Sequence, residues 1–134
     1  LYPSKDVQTV DNLREIDFGR FEGKTAHELE GDPDYADWAA GRINAAPEGE
    51  DNTEFAKRLC VGLNQIVRDM MSKKAEHAAV IMHGGAIMVL LSACALPRKA
   101  MVEWTCPAGS GYTLLINPSL YHSSGVVEVV DYLG

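Results

Sequence analysis

One run constrains this chain more than any other: Ala79-Val80-Ile81-Met82-His83-Gly84-Gly85-Ala86-Ile87-Met88-Val89-Leu90-Leu91. It is the most apolar part of the sequence, with a single polar side chain, His83, in its middle. The β-branched residues before His83 suffice for a short buried strand. The apolar run after the glycines, ending near Ala95, suffices for a buried helix. The reading is strand, tight turn, helix, with His83 at the carboxyl end of the strand. In open α/β sheets, that end borders the crevice where ligands bind. Free N–H groups at a helix N-terminus favour an anion, and Gly84 and Gly85 allow one to approach the backbone. An imidazole beside those amides points to a site for a phosphoryl group. The plainer alternative is a hydrogen-bonded structural histidine in a glycine turn.

The rest of the chain fits around this run. Residues 1–12 read as a loop, and Leu13 to Gly23 as an ordered loop anchored by Phe18 and Phe21. Thr25 with Glu28 is expected to cap a short helix over Ala26 to Glu30. A second short helix is expected over Asp34 to Ala40, closed by Gly41. Asp51 to Ala75 is the clearest helix. Asp51 and Glu54 match a capping box, and Phe55, Leu59, Leu63, Ile66, Val67 and Met70 form one stripe. After Pro97, a short helix is expected within Arg98 to Trp104. A strand is expected over Tyr112 to Ile116, a turn at Asn117-Pro118-Ser119 and a last strand over Val126 to Val130. This is an α/β order with fewer strands than an apolar helix like Ala86 to Ala95 calls for. The chain also starts at Leu1 without a methionine, so a piece of a longer or processed protein is expected.

Bulk properties narrow the partners. A chain of 134 residues is expected to form one domain, 1–134. Its net charge of −7 argues against nucleic acid and anionic membranes as partners, and no apolar run is long enough to span a bilayer. An anionic small molecule remains open to it, because a local site can be positive on an acidic protein. Cys60, Cys94 and Cys106 are widely spaced with no Cys-x-x-Cys, which points to a reducing compartment, the cytoplasm. His27 and His77 read as surface residues and His122 as surface or site rim. No pair has zinc-site spacing, so neither metal nor cofactor is expected.

Three stretches taken together become specific. They are Leu13-Arg14-Glu15-Ile16-Asp17-Phe18-Gly19-Arg20-Phe21-Glu22-Gly23, Pro47-Glu48-Gly49-Glu50 and Val80-Ile81-Met82-His83-Gly84-Gly85. In order and spacing the chain resembles the histidine phosphatase superfamily, the phosphoglycerate mutase-like proteins. The resemblance implies an α/β three-layer sandwich, a central mostly parallel sheet flanked by helices. It also implies reaction through a phosphohistidine intermediate on a small phosphorylated substrate. Glu15 matches the acid that protonates the leaving group. His83 matches the second histidine, which hydrogen-bonds the transferring phosphoryl group, and the backbone N–H of Gly84 would face the phosphate. A carboxylic acid is a sound proton donor to an alkoxide, and fixed N–H donors stabilise the equatorial oxygens.

The family's nucleophile belongs to an N-terminal Arg-His-Gly on the first strand, and no Arg-His-Gly occurs in this sequence. A second phosphate-binding arginine also lacks a counterpart. The chain therefore resembles the carboxyl two-thirds of a family member, and alone it is not expected to form the intermediate. Glu15-Ile16-Asp17-Phe18-Gly19 and the short Gly23 to Pro47 segment resemble the phosphatase branch more than the mutases. Mutase-type phosphotransfer and a catalytically dead binding module are the alternatives, and a metal site at His83 and His122 is the rival outside the family. Specificity is expected from Gly23 to Glu50 and Met101 to Gly111, with Trp38 and Trp104 lining the site or buried in the core. Pro47-Glu48-Gly49-Glu50 invites a catalytic reading for its carboxylates; the plainer one, evenly matched for Glu50, is that Glu48 and Glu50 favour the helix N-terminus. An exposed edge where the first strand belongs would favour strand exchange and a homo-oligomer.

Overall fold

The computed structural model describes residues 7–134. Asp51 starts its longest helix, α2 (Asn52–Lys73), by accepting from the N–H groups of Thr53 and Glu54 at 2.8 and 3.1 Å. Lys74 ends it in the left-handed region at φ 55°. Phe55, Leu59, Leu63 and Val67 are buried along one side, as the stripe requires. Gly62 lies on that side too. A Cβ there would stand 2.7 Å from Leu13 Cδ2, so the bare backbone admits the 3-10 turn Asp11–Leu13 against α2. Helix α3 (Gly84–Cys94) is apolar all round and buries Ala86, Leu90, Leu91 and Cys94 in the same core. Leu59 and Val127 are 0% exposed at its centre.

Behind α3 the chain runs directly into β1 (Ala95–Leu96). Strands β2 (Gly111–Leu115) and β3 (Val127–Leu133) complete one sheet in the order β1-β3-β2. β1 lies parallel to β3, with Ala95 opposite Val127, and β2 lies antiparallel to β3, with Tyr112 opposite Tyr132. The register shifts between Thr113 and Leu114. The sheet is therefore mixed, and with the four α-helices among the described residues it makes an α/β fold.

Three expectations change. The strand expected over 79–82 has no ladder partner among the described residues, and Val80 and Ile81 are 44% and 85% exposed. A β-branched run is only a strand when a neighbouring strand takes its hydrogen bonds, and both described neighbours of β3 lie elsewhere. His83 accordingly precedes α3 without ending a strand. The Thr25–Glu28 capping box does form, at 2.9 and 3.2 Å, yet it closes turns and no helix. The turn expected at Asn117-Pro118-Ser119 instead opens a helix, α4 (Pro118–Ser124). Asn117 caps it by accepting from Leu120 N–H at 3.1 Å.

The short helix α1 (Pro33–Ala39) is capped by Asp32, which accepts from Asp34 N–H. It packs Tyr35 and Trp38 on Phe18 and Phe21, with ring centroids 5.5–5.8 Å apart. With Leu29 and Ala46 this is a satellite cluster, and Phe18 packs against both it and the main core. No described helix is long and apolar enough to cross a membrane.

Candidate active site

The first turn of α3 is the structural centre of the site. His83 is its N-cap, with extended backbone at φ −74° and ψ 146°, and its carbonyl accepts from Ile87 N–H at 3.0 Å. The His83 side chain makes no capping bond and stands exposed. The N–H groups of Gly84, Gly85 and Ala86 precede the first helical bond, and no acidic residue of α3 itself faces them.

Both glycines are there for close approach. A Cβ on Gly84 would overlap the carbonyl of Cys106. A Cβ on Gly85 would meet Glu15 Oε2 at 3.1 Å and Oε1 at 3.5 Å. The carboxylate of Glu15, 68 residues before His83 in the chain, thus lies beside the first turn of α3. Its Oε1 also accepts from the N–H of Ile16 at 2.9 Å. The Glu15 carboxylate therefore fills the space a side chain at 85 would take, with His83 and Gly84 immediately before Gly85 in the same turn.

Glu15 stands on a loop held from behind. Gly19 needs its φ of 54°, and a Cβ there would overlap the backbone of Pro47, Glu48 and Gly49. Gly49 packs against Asp17, where a Cβ would come to 2.9 Å from the carbonyl oxygen. The loop 13–23 and the segment 47–50 are therefore pressed backbone to backbone. Glu50 takes neither of its two expected roles directly. Asp51 serves the amides of α2, whereas Glu50 turns back to pair with Arg58 at 2.8 Å and to accept from Asp17 N–H at 3.2 Å. Sequence reasoning passed over Arg58, although its position between Phe55 and Leu59 puts a charge beside the apolar stripe.

The Arg58 guanidinium, with the Asp17 N–H adding to it, holds the Glu50 carboxyl below its ordinary value of 4.5, against the opposing effect of burial. The same bond raises Arg58. A carboxyl lowered on folding contributes stability that is complete above its unfolded value and lost as pH falls through the folded one. Wild-type chain should therefore lose melting temperature below about pH 4.5 more steeply than a Glu50→Gln chain. Asp51, also held low by Asn44, is common to both chains. Parallel melting curves from pH 7 to pH 3 would contradict the assignment.

The remaining candidates lie apart from Glu15. His122 is in α4, and it lines a groove of about 590 Å³ with Asn64, Arg68 and Ser119 of the α2–α4 face. His83 is not among the residues lining that groove. Among the described residues, no three His, Cys, Asp or Glu side chains gather as metal ligands would. Trp104 is 1% exposed in the core, which settles its alternatives. Trp38 lines a cavity of about 330 Å³ with Phe18, Phe21, Leu29, Tyr35 and Lys24, next along the chain from Glu15.

The model of one family, the histidine phosphatase superfamily (branch 1), matches residues 3–124. The chain belongs to the histidine phosphatase superfamily. No curated protein matches it. The superfamily generally comprises phosphatases and mutases, so membership supports phosphoryl transfer as the general activity. The mixed α/β fold is consistent with that of a histidine phosphatase.

Proposed function

We propose that the protein hydrolyses small phosphomonoesters through a phosphohistidine, without a metal. The observation that carries this reading is the Glu15 carboxylate resting on Gly85 in the turn that His83 begins. Two donors for phosphoryl oxygens and one carboxyl for the leaving oxygen thereby share one end of α3.

In the first half-reaction, an imidazole nitrogen attacks phosphorus, the P–N bond forms and the ester P–O bond breaks. Glu15 gives its proton to the departing alkoxide. In the second, Glu15 takes a proton from water, the water oxygen bonds phosphorus and the P–N bond breaks, releasing phosphate. Throughout, His83 and the Gly84 N–H hold the equatorial oxygens, where charge accumulates. The attacking imidazole is assigned to an Arg-His-Gly, which the sequence given does not contain. In the same reading, residues 1–134 are the carboxyl two-thirds of one such domain. The exposed run 79–82 pairs with the strand bearing that motif, in a mostly parallel three-layer sandwich. The three free thiols suit a cytoplasmic protein. Phosphatase is favoured over mutase by the short 23–47 segment, with the aromatic cavity beside Phe18 as the place for the leaving group.

The test is phosphate release by full-length protein carrying His83→Ala. Turnover should fall roughly 10²- to 10³-fold, the usual cost of one lost donor to a developing oxyanion. Undiminished turnover would overturn the assignment. The alternative reading is a phosphate-binding module without turnover. Phosphate binding that His83→Ala abolishes, in a full-length protein inert toward every ester, would select it.

A further inference from the structure

The geometry points to Arg58 and Glu50 as positioning residues that fix the Glu15 carboxyl against α3. The inference rests on Glu15 being the proton donor of the proposed reaction. Arg58 and Glu50 have side chains only 11% and 17% exposed, unusual for two charges outside the site itself. A guanidinium has five N–H donors. In Arg58 all are used. Nε and Nη2 fork onto Glu50 Oε2 and Oε1 at 2.9 and 2.8 Å. Nη1 donates to the carbonyls of Asn12 and Arg14 at 2.9 and 3.0 Å, and Nη2 to that of Glu15 at 3.3 Å.

Three of the five bonds thus end on the backbone of the segment that carries Glu15, one of them on Glu15 itself. Glu50 grips the next link. Its Oε1 accepts from Asp17 N–H at 3.2 Å, and its own N–H donates to the Asp17 carbonyl at 2.9 Å. The pair therefore ties residues 12–17 to the first turns of α2, on both sides of the acid. The guanidinium also lies over the Phe55 ring at 5.0 Å, which fixes its plane.

Stability alone is a poor account of such a pair. A partly buried ion pair often contributes no more than apolar residues of the same volume, because both charges lose water. What it supplies here is a fixed geometry, since five bonds of defined direction leave the loop one arrangement. A proton donor is sensitive to that, because displacement by about 1 Å can cost 10²-fold in rate. Lysine cannot replace the fork, having no planar set of donors.

The test uses the full-length protein and two esters, an aryl phosphate with an acidic leaving group and an alkyl phosphate with a basic one. Only the alkyl ester needs a proton delivered in the transition state. Glu15→Gln is the reference, and in kcat/KM, which reports the first half-reaction alone, it should slow the alkyl ester far more than the aryl ester. Glu50→Gln and Arg58→Lys should show the same selectivity, with kcat/KM on the alkyl ester down about 10- to 10²-fold and on the aryl ester within about threefold. A pair that merely holds the fold would lower both esters equally. Selective loss in Glu15→Gln with equal or no loss in the two variants overturns the positioning role and leaves the proposed function standing. A non-selective Glu15→Gln overturns the proton-donor role itself.

Amide exchange in the full-length protein gives a reading that needs no turnover. In Glu50→Gln, exchange at Ile16 and Asp17 should quicken tenfold or more while Leu63 and Val67 in α2 keep their protection. Unchanged exchange at Ile16 and Asp17, or equal loss in α2, overturns the positioning role.

Discussion

Replacing Trp104 with alanine is expected to destabilise the chain by about 3–5 kcal/mol, the range for truncating a buried aromatic residue. Trp104 is among the largest fully buried side chains and is 1% exposed. Its ring meets Tyr112 edge-on at 5.4 Å, and Tyr112 in turn packs on Tyr132 at 5.2 Å. The indole therefore joins the segment after α3 to the β2–β3 pair, and Lys99 covers its outer face at 4.7 Å. Truncation would leave a cavity that three separate elements must collapse together to fill. The indole N–H finds no acceptor among the described residues. Trp104→Phe should accordingly cost far less, about 1–2 kcal/mol, because the lost volume is partly offset by removing a buried unpaired donor. Denaturant melts of the two variants check this, and equal losses would contradict it.

Glu15→Gln is expected to lower turnover of an alkyl phosphate roughly 10²- to 10⁴-fold, the span of a positioned general acid. The amide keeps the shape of the carboxyl and accepts from Ile16 N–H as Glu15 does at 2.9 Å, so the loop should stay in place. It has no proton of suitable acidity to give, and no carboxylate with which to take one from water. Both half-reactions are therefore affected. The loss should appear in kcat, with KM little changed, because the interaction is made with the leaving oxygen in the transition state.

The helices that specify themselves were readable in the sequence. α2 has its cap at Asp51 and its stripe from Phe55 to Val67, and both are local patterns. α3 follows from its glycines and apolar run. The strand at 79–82 was not readable in the same way, because a strand is a property of a pair and no described strand lies beside those residues. α4 was hidden by ambiguity. Asn117-Pro118 suits a turn, but the same two residues are a good N-cap and first helical position.

The site was half visible. Glu15, His83 and Gly84 could be named from the resemblance, and the structure adds that the Glu15 carboxylate lies on the adjacent Gly85. Arg58 belongs to no motif of its own, so the sequence alone does not single it out. Its signal was present, since it falls three residues after Phe55 and one before Leu59, where a charge needs a partner. Glu50, eight residues earlier, is that partner, and only the backbone packing of Gly19 and Gly49 brings the Glu15 loop within its reach.

In the proposed reaction, one end of α3 gathers the donors and the acid of a phosphoryl-transfer site. The rate of phosphate release from an alkyl phosphate, compared between full-length wild-type protein and Glu15→Gln, tests it most directly. A fall of roughly 10²-fold or more is expected; equal rates in the two proteins would contradict it.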